Sequence, residues 1–174
     1  MNEVNMQKGT LLVRLFDEFG VLKHEQIVNN LITDAGDLYQ ATRIAANLNS
    51  NGVIQPTLVN GMKLGTSVTA PSKNGTGAAL VSYLAGGNRP FDGAYPQVVN
   101  LGAGAGVTVS YRCTWPAGQA TSVSINEIAI VTDAGIDATS TAANTISRSV
   151  FGTTVTKAAA ESLEVTWSHR QLGA

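Results

Sequence analysis

From Val107 to Trp115 the chain alternates without a fault. Val107, Val109, Tyr111, Cys113 and Trp115 fall on one side, and Thr108, Ser110, Arg112 and Thr114 on the other. A period of two marks a half-buried strand, because successive side chains leave opposite faces of a sheet. Leu163, Val165 and Trp167 repeat the pattern against Glu164, Thr166 and Ser168. Strands with one apolar face need a second apolar layer to cover it. These two segments therefore commit the chain to a packed β architecture.

The rest of the sequence supplies strands and turns to match. Residues 10–28 read as a hairpin whose turn, Asp17-Glu-Phe-Gly20, carries its glycine at the last position. A short strand is predicted over Met62–Thr66 and another over Thr145–Phe151. Between Val123 and Ile130 the apolar phase changes: Val123 and Ile125 are followed by Ile128 and Ile130. Such a slip would turn the core face outward, so a β-bulge is expected near Asn126-Glu127. Residues 107–170 then form the core strands. One helix is predicted over 33–49, with Thr33 or Asp34 as its cap and Leu38, Ala41, Ala45 and Leu48 as its apolar spacing. The expected fold is a mainly β, single antiparallel β-sandwich or jelly-roll-like domain with one short α-helix.

Residues 86–106 stand apart. They are rich in glycine, and Val98, Val99 and Leu101 are their main aliphatics. Ordering a residue costs roughly 1–2 kcal/mol of backbone entropy. This stretch is therefore expected to be a loop that orders only against neighbours. Within it Arg89, Phe91 and Tyr95 are the candidate subunit-contact residues, since aromatics and arginine are favoured at interface centres.

Composition narrows the function. A length of 174 residues suits one domain, and 44% hydrophobic residues suffice for a core. Charged residues are only 13%, with a net charge of −1, which argues against a broad basic face for nucleic acid or for a membrane surface. Gly, Ala, Ser, Thr and Asn supply roughly half the chain, well above ordinary usage. No apolar run reaches membrane-span length, and Met1–Gly9 has no apolar signal core.

Chemical motifs are scarce. Cys113 has no second cysteine to pair with and reads as a buried small hydrophobe. His24 and His169 lack partners at ligand spacing and read as surface imidazoles. The carboxylates Asp17, Glu18, Asp34, Asp37, Asp133 and Asp137 sit at turns or a helix start, where capping explains them. Gly102–Gly106 precedes a strand rather than opening a helix, and Asn74–Gly77 lacks the lysine of a phosphate loop. Trp115 and Trp167 end inward-facing series and read as core. No catalytic, cofactor-binding or metal-ligating residue is expected, and no cofactor.

Three stretches carry a resemblance. Leu15–Gly36 is similar to the strand, Asp-x-x-Gly turn, strand and "NL(I/V)T(D/N)xG" opening of a recurrent kind of tailed-bacteriophage virion protein. Met62–Leu80 resembles the "GTGTTAPAxxDTAL" segment of that family. Val123–Gly135 with Ser147–Arg170 resembles its "ITEAGLF…LARTVFPPVTKxxxDTLTVTW" block. The stretches occur in the family's order. Two departures stand out: Phe151-Gly-Thr-Thr replaces a proline pair, and 86–106 has no counterpart. The resemblance implies a non-enzymatic virion structural protein. The role expected is capsid decoration, with a major capsid or other virion protein as partner and a homotrimer as the assembly. A tail, baseplate, collar or carbohydrate-binding receptor component is the alternative. The implied location is the outer capsid surface, after synthesis in the host cytoplasm.

Overall fold

The computed structural model describes residues 8–45, 56–102 and 105–171. Among these residues ten strands form two five-stranded antiparallel sheets packed as a β-sandwich, with one α-helix. The strands are β1 (Lys8–Phe16), β2 (Leu22–Asn29), β3 (Leu31–Ile32), β4 (Gly61–Gly65), β5 (Tyr83–Pro90), β6 (Gln97–Asn100), β7 (Val107–Trp115), β8 (Ser122–Val131), β9 (Thr145–Lys157) and β10 (Ser162–Gln171). The helix, α1, spans Asp34–Ile44. The first sheet runs β2-β1-β10-β7-β6 and the second β3-β9-β8-β4-β5.

The alternation read from sequence sets the first sheet's register. Val165 lies opposite both Val13 and Cys113, and Trp167 lies opposite Leu11 and Tyr111. These residues, with Leu15, Trp115 and Leu163, are buried against Met62, Leu64, Ile125, Ile128, Ile130 and Ile146 of the second sheet. The first hairpin turns where expected. Asp17 Oδ1 accepts hydrogen bonds from the Phe19 and Val21 amides at 2.9 and 2.8 Å, and Gly20 adopts φ +78°, a left-handed conformation that favours glycine.

The pairing of β8 with β9 is irregular where the phase change predicts a bulge, between Ile125 and Glu127. From Ile125 to Glu127, β8 advances two residues while β9 runs five, from Val155 to Val150. The surplus lies mainly on β9. The second sheet is also covered on its outer face, where Leu80, Ala129, Val131 and Ala134 form a second small core. Burial therefore runs unbroken along β4 and most of β8, as expected of a sheet buried on both sides.

Two expectations change. Thr33 caps α1 by accepting from the Gly36 amide at 3.1 Å, but the helix presents another face to the core. Tyr39 and Ala35 pack inward and Thr42 is buried, whereas Leu38 and Ala41 are exposed. Gly36 decides this, because a Cβ there would meet the Ile146 carbonyl oxygen at 2.1 Å. The backbone approaches β9 at Gly36, so the face that follows at three-residue steps turns inward. The predicted continuation to residue 49, with Leu48, lies outside the described residues. Residues 86–106 are also not one loop: β5 runs through Pro90, and β6 pairs with β7 from Gln97↔Ser110 to Asn100↔Val107.

Candidate interaction surface

The end of β5 and the corner that joins it to β6 carry the three residues singled out as subunit contacts. All three are engaged within the chain. Arg89 donates from Nε to the Thr114 carbonyl oxygen at 2.9 Å and from Nη1 to Gln119 Oε1 at 3.2 Å. Phe91 packs on the main core, its ring centroid 5.2 Å from that of Tyr111. Tyr95 lies under the Arg112 guanidinium, 4.7 Å from the ring centroid, a cation–π arrangement.

Asp92 organises the corner. Its amide donates to the Arg112 carbonyl oxygen at 2.8 Å. Its carboxylate accepts from the Thr114 amide at 3.0 Å, the Thr114 hydroxyl at 2.8 Å and Arg112 Nε at 2.9 Å. The Asp92 hydrogen bond also pushes the Arg112 pKa up. Asp92-Gly93 looks like ordinary turn punctuation in sequence, and only its position beside β7 makes it an anchor. The expectation that this stretch orders only against neighbours is therefore corrected at the corner, where contacts within the chain hold Phe91 and Tyr95.

What remains outward in this region is aliphatic. Val98 is 71% exposed, and Val99 and Leu101 are each 45% exposed. All four residues of β6 are exposed and uncharged. This edge, rather than the aromatic corner, is the candidate interaction surface.

Several charged groups elsewhere are bound into the fold. Arg148 and Glu127 pair at 2.7 Å with both side chains fully buried, and Lys63, also fully buried, meets Asp133 at 3.1 Å. On the opposite face, Glu25, Arg14, Glu164, Arg112 and Asp92 alternate in sign across the first sheet. The sequence signal for Lys63, Glu127 and Arg148 was slight, a charge in strands otherwise nearly free of it.

Tyr39, Arg43, Tyr111, Ile130, Ile146 and His169 line a cavity of about 150 Å³ beneath α1. His169 is 3% exposed, which corrects the surface reading. Burial pushes its pKa down to about 4 and raises that of Tyr111 to about 12. Both groups are thus uncharged at neutral pH. Cys113 is fully buried, and burial raises its thiol pKa too. Among the described residues, no three His, Cys, Asp or Glu side chains converge as a metal site. None of the described helices is long and apolar enough to cross a membrane. Comparison with protein-family models, curated proteins and solved structures returned no match.

Proposed function

We propose that this chain is a non-enzymatic structural component of a tailed-bacteriophage particle. Within that class the role proposed is capsid decoration: the protein sits on the outer shell and bridges neighbouring major capsid subunits. The observation that carries this reading is the set of three stretches, Leu15–Gly36, Met62–Leu80 and Val123–Gly135 with Ser147–Arg170, which resemble virion proteins in their order. The near-neutral composition and the uncharged β6 edge support it, because both favour contact with protein over nucleic acid. Bridging adds buried area at contacts that internal DNA pressure tends to open. Roughly 800 Å² per partner, repeated over a lattice, makes such contacts durable by avidity.

The test is a copy count on purified particles by quantitative mass spectrometry, with antibody labelling to locate the chain. On the order of hundreds of copies over the shell is the expected result for a repeated lattice contact. A handful confined to the tail would transfer the chain to a tail, baseplate or collar role. Its absence from particles would overturn the virion reading.

A further inference from the structure

We infer that β6 joins edge to edge with β6 of a second copy, antiparallel about a two-fold axis at Val99, so that the first sheets of both copies become continuous. This inference stands whether or not the virion reading does. It begins from the way the other sheet edges are protected. β2 carries Lys23 and Glu25, and its Gln26 amide side chain exchanges hydrogen bonds with the Thr153 backbone at 2.9 and 3.1 Å. Ser149 donates to the Asn29 carbonyl oxygen at 2.9 Å. β3 is only two residues long. β5 ends in Pro90, and its Gly87 carbonyl accepts from Trp115 Nε1 at 2.9 Å. Charge, proline, brevity and covering are the usual means of blocking an edge. β6 has no charge, proline or cover along Gln97–Asn100, and at four residues it is twice as long as β3.

The register follows from the backbone. The Leu101 amide donates to the Gly106 carbonyl oxygen at 3.0 Å, in line with the β6–β7 pairing. Residues of the same parity, Val99 and Gln97, therefore aim their backbone groups at β7. Val98 and Asn100 aim theirs away. Among the described residues, nothing bonds to those outward groups. Opposed residues in an antiparallel pair share a sheet face, so only some self-registers are allowed. An axis at Val99 sets Val98 against Asn100 of the second copy, and each pair can exchange both N–H···O=C bonds. All outward groups of β6 are then satisfied at once. Val99 meets its own equivalent in a non-hydrogen-bonded pair, with Cα atoms about 4.5 Å apart and side chains in contact. Gln97 lies opposite Leu101, and no charge opposes another.

A two-fold pair replaces the homotrimer expected from sequence. Arg89, Phe91 and Tyr95, the candidate subunit-contact residues, are engaged within one chain.

The experiment is sedimentation equilibrium of the full chain, alongside Val99→Lys, Val99→Glu and an equal mixture of the two. The expected result is a concentration-dependent dimer for the native chain and monomers for each variant alone, since like charges then face across the axis. The mixture should restore the dimer, a rescue that mere misfolding of either variant would not produce. A native chain that stays monomeric, forms a trimer, or dimerises equally with either variant would overturn the inference. Particle copy number tests the virion reading separately.

Discussion

Glu127 and Arg148 form a bidentate contact in which Arg148 Nη2 and Nε reach the same carboxylate oxygen at 2.7 and 2.9 Å, with neither side chain exposed. The carboxylate also accepts from the Val81 and Ser82 amides at 3.1 and 2.7 Å and from Ser67 at 3.3 Å. Arg148 donates in turn to the Gly77 carbonyl oxygen at 3.2 Å. One ion pair thus fastens the segment between β4 and β5 across the outer face of the second sheet. Removing one member leaves the other charge buried and unpaired. Glu127→Gln or Arg148→Met should each cost on the order of 3–5 kcal/mol, read as a fall in the urea midpoint. A loss no larger than that of an exposed ion pair would mean that water reaches this site in solution.

Trp167 is fully buried between Leu11 and Tyr111 in register. Trp167→Ala should destabilise by about 3–5 kcal/mol through lost burial and the cavity left behind. Equilibrium unfolding followed by far-UV circular dichroism checks this. A loss below about 1 kcal/mol would contradict the packing described here.

His169 makes stability depend on pH. Its pKa is held at about 4 in the folded protein against an ordinary 6.5. Between those values the unfolded chain takes up the proton and the folded one does not, so stability present above 6.5 is lost as pH falls towards 4. The upper part of that window, above pH 5, lies clear of the carboxylates Glu161 and Asp137, whose pKa values hydrogen bonds push below their ordinary 4.5 and 3.8. Urea midpoints from pH 7 to 5 should decline in the native chain and flatten in His169→Gln. An identical slope in both proteins would remove His169 as the cause.

Cys113 should be inert while the chain is folded. Burial disfavours the thiolate, which is the reactive form. Labelling by a thiol reagent should be negligible in buffer and complete in denaturant. Rapid labelling of the native protein would show that the strand carrying it opens locally.

Asp92→Ala should loosen the corner and cost about 1–3 kcal/mol, since the Thr114 amide loses its acceptor. Hydrogen exchange in the free chain should show the Thr114 and Asp92 amides protected in the native protein and faster in the variant. Protection that appears only on a particle would restore the idea of a loop ordered by its neighbours.

The residues show where each level of the structure was decided. Alternation in 107–115 and 163–168 announced strands, burial of Trp115 and Trp167, and a sandwich, because a period of two with one apolar face has few other solutions. Thr33 and the Asp17–Gly20 turn were legible for the same reason: capping and turn chemistry act over a few residues. The rotation of α1 was not legible, because a close approach at Gly36 overrode the apolar spacing of Leu38 and Ala41. Nor was the fate of Arg89, Phe91 and Tyr95. Their partners, Thr114, Tyr111 and Arg112, lie more than a dozen positions away on β7. The open outer edge of β6 and the burial of Glu127, Arg148, Lys63 and His169 likewise belong to the tertiary structure. Local pattern sets which face of a strand is apolar. Only the packing of distant segments decides which polar groups are covered and which edge is left open.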